Sequence, residues 1–170
     1  MVNGKESAEL PALILKLKAR DFIDDSSRFN MLANYVGEYS KSLFEKQDRA
    51  ENLVSTVLYE LISYAVGIAE EQSVVNISFG RNEDDMSFVI ASEVKKSSVP
   101  KLQELKRSLQ NNKAESLYIK LLQSKEYGFS LEGDFGLYMV VNDYNANIDL
   151  NYDSAANKFE IRVSVSIKEI

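Results

Sequence analysis

The stretch ENLVSTVLYELISYAVGIAE, residues 51–70, carries the strongest helical pattern in the chain. Its apolar side chains recur every three or four residues and so share one face of a helix: Val54, Val57, Leu58, Leu61, Ala65 and Ile68. A helix with one continuous apolar stripe has to bury that stripe against another layer of the fold. We therefore predict a long helix over about 49–70 that covers one face of a sheet.

The segments on either side of this helix supply the strands. Apolar residues alternate with polar ones from Leu13 onward, which predicts a strand before the helix. Alternation on both sides of a polar turn predicts two strands within residues 75–90. The last such pattern, over about 148–167, predicts a closing hairpin with one buried and one hydrated face.

In the remaining segments, apolar residues recur at the spacing of a helix. This spacing predicts a helix that ends near Leu43, two helices within residues 98–126, and a helix that begins with FGLYMVVNDY at Phe135. This order of elements predicts an α+β two-layer sandwich, a mixed, mostly antiparallel sheet with its helices on one face. We expect a single domain over residues 11–170, after a flexible tail at residues 1–10.

Composition and charge exclude several classes of function. The 170 residues contain no histidine, which removes the usual general base near neutral pH and phosphohistidine chemistry. They contain no cysteine, and the polar N-terminus lacks a secretory signal, so we expect a cytoplasmic protein. The net charge of −6 argues against a nucleic-acid partner, because binding phosphates requires clustered Lys and Arg. No apolar run reaches the roughly 18 residues of a membrane helix, so we expect no membrane partner.

A second stretch, EGDFGLYMVVNDYNANIDL at residues 132–150, places Gly133 and Gly136 just before an apolar helix. Such glycines can bring backbone N–H groups up to a phosphate, or they can serve a turn followed by close helix packing. Asp134 and Phe135 stand between them. A carboxylate repels phosphate unless a metal ion screens it, and a phenyl ring could fill the space that a phosphate needs. We therefore favour the packing interpretation over a phosphate cradle.

Two segments, in this order, resemble the GHKL family of ATP-binding domains, which includes gyrase-type ATPases, Hsp90 chaperones, sensor histidine kinases and anti-sigma-factor serine kinases. Residues 51–70 resemble the family's helical N-box, commonly an E-L-x-x-N-A pattern. Residues 133–167 resemble its glycine-containing second ATP-binding box with the final hairpin. Residues 12–44 match the way in which the anti-sigma-factor kinases begin. The two-helix insert at 95–126 is most similar to small bacterial serine kinases that act on partner-switching antagonists.

The resemblance implies a site for ATP and Mg²⁺. Glu60 aligns with the N-box glutamate, which would act as general base or orient the hydroxyl of a partner's serine. Tyr64 stands where the family has an asparagine that ligates Mg²⁺, and a phenol is a poor ligand for so hard a cation. Glu93 is the candidate acceptor for the adenine amino group. The backbone amides that would hold the phosphates are those near Gly133, Gly136 and Leu137.

The leading functional hypothesis is a degenerate bacterial signalling module that acts by binding a protein and has weak or lost ATP binding. The partner that the resemblance implies is a STAS-type antagonist or a sigma-factor-like regulator. Its docking surface would include the lid region, about residues 95–132, and the N-terminal helix. Two alternatives stay open. One is an active ATP-dependent protein serine kinase that acts on a STAS-type antagonist, and the other is a scaffold domain that forms a homodimer or a larger homo-oligomer.

Overall fold

Five strands and six helices make up the part of the chain that the computed structural model describes, namely residues 13–82, 84–110, 114–123, 134–166 and 168. Their bounds are β1 (Leu13–Lys18), α1 (Ala19–Ile23), α2 (Ser27–Lys41), α3 (Gln47–Ile68), β2 (Val74–Arg81), β3 (Asp85–Glu93), α4 (Val99–Gln110), α5 (Ala114–Gln123), α6 (Asp134–Asp143), β4 (Asn147–Asp153) and β5 (Lys158–Ser166). The predicted tail at residues 1–10, the end of the lid region and Gly133 lie outside the described residues.

The strands form one open sheet in the order β1-β2-β3-β5-β4. All four strand pairs are antiparallel. The predicted α+β two-layer architecture is confirmed, but the sheet is antiparallel throughout instead of mixed. The reason is that the final hairpin inserts β5 between β3 and β4. Strand β4 therefore runs in the same direction as β3 without pairing with it.

One face of the sheet forms the core. Apolar side chains of β2, β3 and β5 alternate onto this face and are almost fully buried: Val75, Ile77, Phe79, Met86, Phe88, Ile90, Phe159, Ile161, Val163 and Val165. Burial of each such side chain contributes roughly 1.5–3 kcal/mol relative to an exposed position. The opposite face carries shorter or polar side chains, among them Ser78, Ser87 and Arg162, and is not covered by a helix in the described chain.

Helix α3 lies at the centre of the helical layer. The predicted apolar stripe is confirmed, since Val54, Leu58, Leu61 and Ala65 are fully buried. Its C-terminal end is fixed to the sheet by two backbone hydrogen bonds: Lys95 N–H donates to Ile68 O at 2.9 Å, and Glu70 N–H donates to Glu93 O at 3.0 Å. These two bonds hold the C-terminal end of α3 against the end of β3.

Helix α2 packs along α3 through a narrow face made of small and β-branched residues, Ala33, Val36, Gly37 and Ser40. The contact is closest at Gly37. A β-carbon there would lie 2.8 Å from the carbonyl oxygen of Glu51 and 3.1 Å from Ser55 Cβ. The two helices can approach this closely because residue 37 has no side chain.

No helix in the described part of the chain combines the length and the apolar character that crossing a bilayer requires.

Gly37→Ala should lower the free energy of unfolding by about 1–3 kcal/mol, because the added methyl group meets backbone that can only yield by separating α2 from α3. Urea unfolding followed by circular dichroism measures the change. Gly67→Ala is the matched control: this helical glycine of α3 is exposed, and nothing lies within 4 Å of an added β-carbon. Alanine should raise the stability there by about 0.5–1 kcal/mol. An equal effect of both substitutions would contradict the close helix contact.

Candidate functional site

Helices α3 and α6 come together where the sequence resemblance places the two halves of one site. Gly136, in the first turn of α6, lies directly against the side chain of Glu60. A β-carbon at position 136 would overlap the carboxylate and lie 2.6 Å from Glu60 Cδ. This is the arrangement that the packing interpretation of Gly136 predicts, since glycine allows the helix to settle on a side chain of α3.

A cleft of about 310 Å³ opens beside this contact, and we call it the α3–α6 cleft. Its lining comes from three helices and the turn before α4: Ser63, Tyr64, Gly67, Ile68, Ser98, Lys101 and Asp134. The volume is near the lower limit of the roughly 300–1,000 Å³ that small-molecule sites occupy. The structure thus brings Tyr64 and the start of α6 to one cavity, with Glu60 at the adjoining helix contact.

Tyr64 is 3% exposed, and its hydroxyl has no hydrogen-bond partner among the described residues. Burial raises the pKa of this phenol well above its ordinary value, and the negative charge of Asp134 and the neighbouring Tyr138 raise it further. The side chain is therefore a neutral phenol at physiological pH. A buried hydroxyl without a partner costs about 1–3 kcal/mol, so the native state holds Tyr64 at a free-energy cost.

Glu60 lies one helical turn before Tyr64, on the same side of α3. Its side chain is partly buried, and burial raises the pKa of the carboxyl above its ordinary value of 4.5. A carboxyl group with a raised pKa is better suited to accept and return a proton near neutral pH than an exposed one. Of the predicted site residues, Glu60 is the carboxyl group whose pKa burial raises.

The charges around the cleft are mostly acidic. Asp134 lies in the first turn of α6 and raises the pKa of both Tyr64 and Tyr138. Lys101, from α4, places one ammonium group in the cleft lining. Together with Glu60, the described residues of the cleft region therefore include two carboxyl groups and one cation. The carboxylate of Asp134 would repel a triphosphate unless a metal ion screened it.

Phe135 does not fill the cleft. Its ring packs against the ring of Tyr118 on α5, with centroids 5.5 Å apart, and Phe135 is not part of the cleft lining. The ring therefore lies outside the α3–α6 cleft, and whether it occupies the space of a phosphate stays a prediction. The first turn of α6 directs Asp134 to the cleft and the next residue to α5, because consecutive helical residues point about 100° apart.

Glu93 lies elsewhere. The side chains of β3 alternate, so buried Ser92 faces the helical layer while Glu93 is on the uncovered face of the sheet. There Glu93 lines a separate cavity of about 850 Å³, with Glu70 and Lys158 among its neighbours. The structure does not bring Glu93 to the α3–α6 cleft, and the expectation that it accepts a hydrogen bond from adenine at the same site is not supported by the geometry.

Leu137 has a fully buried side chain, so only its backbone could face a ligand. The cleft also contains residues that the sequence analysis missed. Ser63 and Gly67 follow Glu60 by three and seven residues, and helical periodicity alone would place them on its face. Ser98 and Lys101 carry no such signal, because their position depends on the path of the chain after β3.

No family model matches this chain, and no curated protein matches it in sequence.

Position 64 does not present the Mg²⁺ ligand that the resemblance implies. Mg²⁺ prefers carboxylate, amide or water oxygens, whereas residue 64 presents a neutral phenol. The carboxyl group of Glu60 is packed against Gly136. Within the described residues, no three acidic side chains come together in a way that could hold a metal ion. Among the described residues, position 64 therefore supplies neither an amide nor a carboxylate oxygen for a metal ion.

Tyr64→Phe should raise the free energy of unfolding by about 1 kcal/mol, because it removes a buried hydroxyl that has no partner. Tyr138→Phe is the matched control on α6, since this hydroxyl shares a hydrogen bond with Ser108. Its loss should lower stability by about 0.5–1.5 kcal/mol. Urea unfolding of both variants shows whether the two substitutions change the free energy of unfolding in opposite directions. A loss of stability in Tyr64→Phe would show that this hydroxyl is well paired.

Glu60→Gln should be more stable than the natural chain at pH 7–8, because the natural chain buries a charged carboxylate there. The difference should shrink as the pH falls through the raised folded-state pKa and nearly vanish below the unfolded value of 4.5. Unfolding free energies of both proteins from pH 4 to pH 8 measure this trend. Glu115→Gln is the control, because the side chain of Glu115 is exposed on α5. A stability difference that grows towards acid pH would contradict burial as the cause.

Proposed function

We propose that this chain is a regulatory signalling module related in architecture to GHKL domains, and that it acts by binding another protein without Mg²⁺-bound ATP. The contact between Glu60 and Gly136 supports the architectural part of the proposal. It joins the two segments on which the resemblance rests, although they are far apart in sequence.

The functional part of the proposal rests on the environment of Tyr64. It occupies the position of the family's Mg²⁺-ligating asparagine, one turn after Glu60, and it is buried, neutral and bulky. Asp134 adds a negative charge at the start of α6, where the family would place phosphates. Both features oppose nucleotide binding and leave the surrounding scaffold in place.

The lid region offers a surface for the protein partner. Helix α5 exposes Ile119 and Leu122, which are 43% and 44% exposed. The same helix is held to α6 by Tyr118, whose hydroxyl donates to Asp143 Oδ2 at 2.9 Å. A helix that exposes two large apolar side chains among polar ones suits protein recognition, and the resemblance suggests a STAS-type antagonist or a sigma-factor-like regulator. The net charge of −6 favours a partner with a basic surface.

A second candidate is an active protein serine kinase, and the raised pKa of Glu60 is the observation that favours it. In that function Glu60 would accept the proton of the partner's serine hydroxyl while the phosphoryl group is transferred. The candidate needs a Mg²⁺ ligand in place of Tyr64.

Thermal melts with millimolar ATP, with and without Mg²⁺, separate the two functions. A ligand that binds only the folded state raises stability by roughly 2.7 kcal/mol at a hundredfold excess over Kd. We expect no Mg²⁺-dependent shift in the natural chain. The Tyr64→Asn variant should show a Mg²⁺-dependent stabilisation by ATP, because asparagine supplies an amide oxygen at the metal position. The Tyr64→Phe variant should show none.

The opposite result would favour the kinase. If Mg²⁺ and ATP stabilise the natural chain, and Glu60→Ala abolishes phosphate transfer to a captured partner while preserving the melt, the proposal of a nucleotide-independent module is wrong. A Tyr64→Asn variant that folds and still ignores Mg²⁺ and ATP would remove the support for the alignment itself.

A further inference from the structure

We propose that the first turn of α6 opens and closes over Glu60 under the control of pH. The turn, residues 134–136, packs on the protonated carboxyl of Glu60 and separates from α3 when that carboxyl ionises. Opening exposes Glu60 and the hydroxyl of Tyr64 to water together. The inference concerns the free chain, so it does not depend on the proposed protein partner or on nucleotide.

The contact between α3 and α6 confines two polar side chains that have no partner among the described residues. Glu60 lies directly against Gly136, where a β-carbon would come 2.6 Å from Glu60 Cδ, and no hydrogen bond or opposite charge acts on its carboxyl. The hydroxyl of Tyr64 is buried without a partner. Water would hydrogen-bond to both groups, so their hydration favours separation of the first turn from α3.

The first turn is the part of α6 that opens most readily. It contains Gly136, and glycine disfavours a helix more than any residue except proline. The next turns are held in the core, because Leu137 and Val140 are fully buried. Helix ends open locally more readily than turns with buried apolar side chains. We therefore expect the opening to stop at Leu137.

Ionisation of Glu60 gives the opening its pH dependence. In the closed form, burial raises the pKa of the carboxyl above its ordinary value of 4.5, and in the open form hydration returns it towards that value. The closed form is favoured most below pH 4.5 and loses this advantage as the pH rises through its own raised pKa. Each unit of difference between the two pKa values makes the open form up to tenfold more populated at high pH.

The neighbouring titratable groups do not produce the same trend. They are Tyr64 on α3, Asp134 and Tyr138 on α6, Lys101 and Glu104 on α4, and Tyr118 on α5. Tyrosine stays neutral and lysine stays charged between pH 4 and pH 8. Glu104 is exposed, and its charge acts on Tyr138. Ionised Asp134 stabilises the N-terminus of α6, so its titration would close the first turn as the pH rises.

Hydrogen exchange of single amides, followed by NMR, measures the opening. The amides of Tyr138 and Met139 donate to the carbonyls of residues 134 and 135 in a helix, so they lose these bonds when the first turn opens. The amides of Val141 and Asn142 donate to residues 137 and 138 and are the control within the same helix. After correction for the intrinsic pH dependence of exchange, protection of the first pair should fall several-fold between pH 4.5 and pH 8. Protection of the second pair should not change.

Three variants identify the groups responsible. Glu60→Gln keeps the shape of the side chain without its charge, and its first-turn protection should not depend on pH. Tyr64→Phe removes the hydroxyl that opening hydrates, so protection should be higher at every pH and keep its pH dependence. Gly136→Ala places a methyl group on Glu60 and should open the turn at every pH. Glu115→Gln, on exposed α5, is the control and should behave like the natural chain.

Two results would overturn the proposal. One is protection of Tyr138 and Met139 that does not fall relative to the control amides as the pH rises. The other is a fall that persists in Glu60→Gln. Protection that rises with pH would also contradict the proposal and would assign the effect to Asp134. Circular dichroism checks that each variant folds. Because the measurement uses the free chain without nucleotide, its failure leaves the test with Mg²⁺ and ATP unaffected.

Discussion

The burial of helix α3 on three sides is the constraint on which the rest of this structure depends. One side, with Leu58 and Leu61, packs on the sheet, and a second side lies so close to α2 that only glycine fits at position 37. The third side carries Glu60 and Tyr64 towards α6. A helix held on all three sides cannot turn about its axis without opening the core, so the side chains of the cleft are held in place by packing.

The contact between α3 and α6 determines the surroundings of the two titratable side chains of the site, Glu60 and Tyr64. Gly136 lets α6 rest on Glu60, and the same approach brings Asp134 near the buried phenol of Tyr64. Burial raises the pKa of both Glu60 and Tyr64 and so favours their neutral forms. The cleft is therefore a place where proton-bearing groups are kept out of water, whereas a site for a metal–nucleotide complex needs exposed anionic and amide oxygens. Our proposal that the chain acts without Mg²⁺-bound ATP rests on these electrostatic properties.

Two helices of the described chain expose large apolar side chains among polar ones. Helix α5 exposes Ile119 and Leu122, and α2 exposes the Met31, Tyr35 and Tyr39 row. They belong to different parts of the helical layer, since α5 packs with α6 and α2 packs with α3.

The sequence by itself determined the class and order of the elements, because the apolar repeats of 3.6 and 2 residues reflect which faces must be buried. It predicted α3, the helix at Phe135 and the final hairpin within a few residues of their observed bounds. The five-residue α1 (Ala19–Ile23) was not predicted, because it is too short to show a repeat. Only the tertiary structure decided which side chains share the cleft. It brought in Ser98 and Lys101, turned Phe135 towards Tyr118, and left Glu93 on the other face of the sheet. Periodicity specifies the face of one element, whereas a site depends on how several elements are placed relative to one another.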